Sequence, residues 1–157
     1  MAIEVGTNAP DFSLVSDEKE TVNLKDFQGK NVVVLFFPLA FTGVCTTELC
    51  TMRDDIANYN NMNATILGVS VDSPFVLEQF KSAQSLNFPL LSDFNKEASA
   101  AYDSLYEEFP AFGMRGVSKR SAFVIDKEGV VRYKEICSSP GDLPNFNAIK
   151  ETLSSLN

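Results

Sequence analysis

Asn31-Val-Val-Val-Leu-Phe-Phe37 runs straight into Pro38-Leu-Ala-Phe-Thr-Gly-Val-Cys45. The first seven residues are almost all apolar, which predicts a central strand covered on both faces. Beyond the short Pro38–Val44 loop, Leu49, Met52, Ile56 and Tyr59 recur at three- and four-residue spacing. That spacing predicts a helix from Cys45 to about Asn60 with one face in the core. A buried strand, a short loop and a cysteine opening the next helix together make a reactive thiol. The first turn of a helix offers unpaired backbone N–H groups and a partial positive charge, and both favour an anionic sulfur. Thr42 places a hydroxyl within reach of that sulfur, and Pro38 stiffens the start of the loop.

The flanking segments give a fold class. Asp11–Val15 and Thr21–Leu24 read as short strands around a polar turn at 16–20, and Ala64–Val71 as a second buried strand. Ser73-Pro74 is an N-cap and first helical residue, starting a helix to about Ala83. Phe88–Leu91 follows as a short strand and Asn95–Tyr102 as a helix. Ser121–Asp126 and Val130–Ile136, joined by Lys127-Glu128-Gly129, form an expected antiparallel hairpin, and Phe146–Leu156 an amphipathic helix. This order predicts an α/β protein, a mixed β-sheet with helices on both faces, in one domain over residues 1–157.

Bulk composition narrows the function. A net charge of −8 argues against a nucleic-acid-binding surface, which needs clustered Lys and Arg. No apolar stretch reaches the roughly twenty residues of a membrane span, and the first residues do not read as a signal peptide, so a cytoplasmic protein is expected. Three cysteines, an odd number, fit functional thiols better than a secreted disulfide framework. The absence of histidine removes Cys–His and Ser–His hydrolases, histidine-containing zinc sites and histidine-ligated haem. No Gly-rich phosphate loop is visible, and neither a metal nor an organic cofactor is expected.

The spacing Pro38-x-x-x-Thr42-x-x-Cys45 resembles the active-site signature of the peroxiredoxins, the thiol-dependent peroxidases. The order of elements is similar to the thioredoxin fold with the N-terminal extension usual in that family. Lys119-Arg-Ser-Ala-Phe-Val-Ile-Asp126 resembles the family's arginine followed by a strand and a glycine turn. The resemblance implies that Arg120 hydrogen-bonds the Cys45 sulfur and a bound peroxide. Glu48, in the first turn of the helix, matches a carboxylate the family uses to orient active-site groups, although it also suits the helix dipole.

Chemistry explains why such a constellation is needed. A free cysteine with a pKa of about 8.5 is a few per cent thiolate at neutral pH, so full ionisation gains only about thirty-fold. Faster peroxide reduction requires stabilising the charge that develops as the O–O bond breaks. Thr42, the N–H groups near Val44 and Cys45, and the Arg120 cation are the candidate donors. Taken singly, Cys45 reads equally well as a small buried hydrophobe, Thr42 as a helix cap, Pro38 as a strand terminator and Arg120 as a surface charge.

Cys50 lies five residues after Cys45. On an ideal helix their Cα atoms are about 8.6 Å apart and about 140° around the axis. Bridging them therefore requires the first turn to unwind. The spacing resembles the bacterioferritin-comigratory, or Q, group, in which such a cysteine resolves the sulfenic acid. Phe36–Cys45, Phe88-Pro-Leu-Leu-Ser-Asp-Phe94 and the C-terminal hairpin are instead similar to the AhpE group, which often uses one cysteine and an external thiol. Cys50 as resolver is the expectation carried forward, and Cys137 reads as an incidental cysteine at a strand end.

The resemblance implies a peroxide substrate, a thioredoxin- or glutaredoxin-like reductant, and leaves a homodimer open. Leu39, Phe41, Phe112 and Met114 could line an apolar mouth for organic hydroperoxides, or pack in the core or at a dimer contact. Two other functions compete. A thioredoxin-type dithiol oxidoreductase would carry C-x-x-C, which the chain lacks. A non-catalytic redox sensor or holdase would show slow peroxide turnover despite a reactive Cys45.

Overall fold

Every residue of the strand Asn31–Phe36 is buried, and its side chains alternate between two cores. Val33 and Leu35 enter one core, joined by Phe37 beyond the strand end; Val32, Val34 and Phe36 enter the other. This follows from the two-residue period of a strand covered on both faces. The computed structural model describes residues 3–156. Its elements are β1 (Ser13–Ser16), β2 (Thr21–Asn23), a 3₁₀ turn (Leu24–Phe27), β3 (Asn31–Phe36), α1 (Gly43–Asp54) and α2 (Ile56–Asn61). They continue with β4 (Ala64–Ser70), α3 (Pro74–Gln84), β5 (Leu90–Ser92), α4 (Glu97–Ala101), β6 (Ser121–Ile125), β7 (Val131–Ile136) and α5 (Phe146–Ser155).

The seven strands form one mixed sheet in the order β2-β1-β5-β4-β3-β6-β7. β3 runs parallel to β4 and β4 to β5, whereas β6 runs antiparallel to β3 and forms a hairpin with β7. The N-terminal hairpin β1–β2 extends the sheet on the β5 side. Cys45, Leu49 and Met52 of α1, Tyr59 of α2, Leu77 and Phe80 of α3, and Ile149 and Leu153 of α5 fill the first core. The second core is closed by Ala98 of α4, Tyr102 and the N-terminal Ile3 and Phe12. Helices thus cover both faces, as expected. Among the described residues no helix is long and apolar enough to cross a membrane.

Local signals explain the boundaries. Ser73 accepts the Val76 N–H at 3.2 Å, Pro74 opens α3, and Ser85 ends it in the left-handed region. Asn145 caps α5 by accepting the Ala148 N–H at 3.0 Å. The helix expected over Cys45–Asn60 differs in two ways. It begins at Gly43, so Cys45 is its third residue, and it breaks at Asp55 (φ −108°, ψ 11°) into α1 and α2. Asp is a poor helix former, and the Asp55 carboxylate is engaged by Asn58 Nδ2 (2.5 Å) and by Lys150 Nζ of α5 (2.8 Å). The strand expected at Phe88–Leu91 lies at Leu90–Ser92, because Pro89 has no N–H and Leu90 donates to the Asp17 carboxylate at 3.0 Å. The helix expected at Asn95–Tyr102 narrows to Glu97–Ala101, started by Asp93, which accepts the N–H groups of Ala98 and Ser99.

Candidate active site

The parallel strands β3 and β4 end at the same edge, where sites in open α/β sheets gather. Beyond β3 the chain turns sharply through Leu39–Thr42, and Phe41 adopts φ 66°. For a residue with a Cβ that conformation costs about 1–2 kcal/mol, so neighbouring contacts must hold it. The Phe41 ring rests on Phe80, with centroids 5.1 Å apart. The Ala40 N–H donates to Asp72 Oδ2 at 2.8 Å, and the Thr42 hydroxyl donates to the Leu39 carbonyl at 2.8 Å. Thr42 does not cap α1 with its side chain; its carbonyl accepts from the N–H (2.9 Å) and hydroxyl (2.8 Å) of Thr46. The N–H groups of α1 ahead of Thr46 have no intrahelical carbonyl to reach, and that of Cys45 is among them.

Cys45 is 1% exposed, and its Sγ accepts a hydrogen bond from Arg120 Nη2 at 3.2 Å. Sheet register brings these distant residues together. Phe36, the last residue of β3, pairs with Ser121, the first of β6, so the chain before β6 lies beside the chain after β3. Arg120 is also buried, and its donors are shared out. Nη1 donates to Glu48 Oε1 at 2.5 Å, while Nε and Nη2 donate to the Pro140 carbonyl at 3.3 and 3.0 Å. The Arg120 carbonyl accepts the Cys137 N–H at 2.9 Å, which continues the β6–β7 ladder.

Burial pushes the Glu48 carboxyl up to about 7, with Arg120 pulling in the opposite direction. Glu48 Oε2 has no hydrogen-bond partner among the described residues, so a full negative charge there is poorly compensated. Burial opposes the Arg120 charge, but Glu48 and the Cys45 sulfur outweigh it and shift the guanidinium pKa upward. Cys137, buried at the end of β7, is pushed up to about 11 by burial, with Glu135 and Glu48 adding to the effect. It remains a thiol at neutral pH.

Of the residues singled out by sequence, Cys45, Arg120 and Glu48 form one buried cluster. Pro38 is buried at the start of the loop. Thr42 sits at the rim, but its proton is directed to Leu39 rather than to the sulfur. Cys50 is half-buried on α1 and donates to Gln84 Oε1 of α3 at 3.6 Å. Phe41 and Phe112 are exposed, at 55% and 91%, whereas Leu39 and Met114 are half-buried. Two contributors were not anticipated. Pro140 acts through its carbonyl, which no side-chain pattern signals. Asp72, an acid directly after the buried β4 run, was visible as a polar residue at the sheet edge that carries the site.

A strand–loop–helix that buries a thiol against a guanidinium on this sheet is the arrangement of a thiol-based oxidoreductase with the thioredoxin fold. Residues 5–134 match the AhpC/TSA family. Alkyl hydroperoxide reductase E of Mycobacterium tuberculosis is 34% identical over 157 residues, spanning 98% of each chain. Peroxiredoxin Bcp of Bacillus subtilis is 41% identical over 130 residues, spanning 82% of each. The crystal structure of peroxidoxin BcpB from Mycobacterium tuberculosis matches with a TM-score of 0.86 at 25% identity, over 99% of both chains. The chain belongs to the AhpC/TSA family and is a peroxiredoxin, a thiol-dependent peroxidase.

Proposed function

We propose that Cys45 is the peroxidatic cysteine of a reductase for hydrogen peroxide and organic hydroperoxides, and that Cys50 resolves its oxidised form. The observation that carries this reading is the 3.2 Å contact between Arg120 Nη2 and the buried Cys45 Sγ. A fixed cation beside the sulfur is already in place to stabilise the charge that develops as the O–O bond breaks. The Thr42 hydroxyl, having given its proton to Leu39, keeps lone pairs that accept the O–H of an incoming peroxide. Thr42 therefore positions the peroxide as an acceptor, not as the charge-stabilising donor expected from sequence.

The Cys45 thiolate attacks the terminal peroxide oxygen, forming an S–O bond as the O–O bond breaks. The bonding pair leaves on the second oxygen as hydroxide or alkoxide, which takes a proton from solvent. Sulfur is oxidised by two electrons to sulfenic acid, and the peroxide is reduced to water or an alcohol. The Cys50 thiol then attacks the sulfenic sulfur, releasing water and leaving a disulfide. A thioredoxin- or glutaredoxin-like dithiol protein reduces that disulfide by exchange. Both cysteines lie on α1, so the bridge requires its first turns to open.

Three free thiols suit a reducing compartment, and we assign the enzyme to the cytoplasm. The exposed Phe41 and Phe112 offer apolar surface for an organic hydroperoxide, and are the residues a homodimer contact would cover. The test is peroxide consumption with and without a thioredoxin system, with peptide mapping of the oxidised protein. One equivalent consumed without reductant, sustained turnover with it, and a Cys45–Cys50 bridge are expected. Unbridged Cys45 with full turnover in Cys50→Ser would move the enzyme to a one-cysteine cycle using an external thiol.

A further inference from the structure

We propose that Asp72 is a positioning residue for peroxide reduction, holding the turn that presents Thr42 while Arg120 holds the sulfur. The inference rests on the assignment of Cys45 and Thr42 above. Asp72 lies two residues beyond β4 and is tied down on several sides. Its Oδ2 accepts from Ser70 Oγ at 2.7 Å, its N–H donates to the same hydroxyl at 3.2 Å, and its carbonyl accepts from Ser92 Oγ at 2.6 Å. The carboxylate is thereby fixed to the end of β4 and the backbone of Asp72 to the end of β5, and Oδ2 also receives the Ala40 N–H at 2.8 Å.

That bond falls at a sensitive point of the loop. Ala40 is buried, so its N–H needs a partner away from water. The next residue, Phe41, sits in the left-handed region at φ 66°, and the turn is closed by Thr42 Oγ1 on the Leu39 carbonyl. Fixing Ala40 therefore fixes Leu39 and, through it, the orientation of the Thr42 hydroxyl. Cys45 is held independently, by its place in α1 and by Arg120. The site has two halves with separate supports: the Asp72 strap orients the peroxide, and the Arg120 cluster prepares the nucleophile. Releasing the strap disturbs the first half alone.

Two reagents separate these halves. Peroxide needs both Thr42 and the thiolate, whereas iodoacetamide needs only an accessible thiolate. Asp72→Ala is expected to lower the second-order rate with peroxide by about tenfold to a hundredfold, the loss typical of a reacting group displaced by about 1 Å. Its alkylation rate should stay within about twofold of wild type, because the charges beside the sulfur are untouched. Asp72→Asn retains an acceptor for Ala40 and Ser70 and should recover most of the peroxide rate. Ser70→Ala, which loosens the carboxylate without removing it, should lower the peroxide-to-alkylation ratio in the same direction but less.

Unchanged peroxide rates in Asp72→Ala, a parallel fall in both reactions, or an Asp72→Asn no better than Asp72→Ala would each overturn the inference. If Asp72→Ala does not fold, the remaining pair decides: an unchanged ratio in Ser70→Ala, or a rate in Asp72→Asn at least tenfold below wild type, overturns it. Cys45→Ser serves as reference. With that variant inactive, the failures above sink the Asp72 role alone; peroxide consumption by Cys45→Ser would remove the peroxidatic assignment and the Asp72 role together.

Discussion

Cys45 and Glu48, three residues apart on one face of α1, accept hydrogen bonds from the two terminal nitrogens of the same buried Arg120 guanidinium. Two groups that can each carry a negative charge therefore share one cation. Burial pushes the Glu48 carboxyl up to about 7, which weakens its hold on the shared cation near neutrality. Glu48 orients Arg120 through Oε1 in either protonation state.

Cys45→Ser should fold as the wild type does and consume no peroxide. Circular dichroism and a peroxide assay on the purified protein check this, and wild-type turnover in the variant would rule out Cys45 as the nucleophile.

Thr42→Val should lower the peroxide rate by about a hundredfold, the loss expected when a reactant is no longer held in its attack geometry. Alkylation of Cys45 by iodoacetamide should not change. Arg120→Met removes the cation beside the sulfur and should lower the peroxide rate further than the alkylation rate. Peroxide and alkylation rates that fell in strict proportion in both variants would leave these residues no part in O–O cleavage.

Cys50→Ser should consume one equivalent of peroxide and then stall or over-oxidise with thioredoxin as sole reductant. Cys137→Ser should turn over normally, because a thiol whose pKa is pushed up to about 11 supplies little thiolate for exchange. In oxidised wild type, amide exchange should accelerate across Thr46–Leu49. Peptide mapping that joined Cys45 to Cys137 would reject this scheme.

Glu48→Gln should remove a pH dependence of stability. A carboxyl raised from 4.5 to about 7 on folding binds more protons in the folded than in the unfolded state between those values. Wild-type stability therefore falls as pH rises through that window, by on the order of 3 kcal/mol in total. Gln resembles the protonated acid, so urea unfolding should find the variant level with wild type below pH 4.5 and more stable above pH 7. A gap that widened towards acid pH would contradict the assignment of the shift to burial.

Features driven by side-chain chemistry along the chain were legible. The apolar run over β3 fixed the centre of the sheet, the Leu49–Met52–Tyr59 stripe oriented α1 and α2, and Ser73-Pro74 set the start of α3. Arg120 was legible because it abuts a core strand, although the register that places it beside Cys45 appears only once β6 pairs with β3. Contacts made by backbone or across long separations were not legible. The Pro140 carbonyl on Arg120 would be supplied by any residue there, and the break at Asp55 depends on Lys150 in the last helix. The direction of the Thr42 proton depends on the turn that folds Leu39 back beneath it.

If Cys50 resolves Cys45 as proposed, the break at Asp55 limits how far α1 has to open. The far end of α1 is bolted down: Arg53 Nη1 donates to the Gln84 carbonyl at 2.5 Å, Asn87 Nδ2 to the Arg53 carbonyl at 3.3 Å, and Lys150 to Asp55 at 2.8 Å. Unzipping from Cys45 would meet that fixed abutment before it reached α2, leaving the register of β4 undisturbed. Such a helix works like a zip fastener with a stop sewn across it. It can open at one end and close again, and the rest of the garment never comes apart.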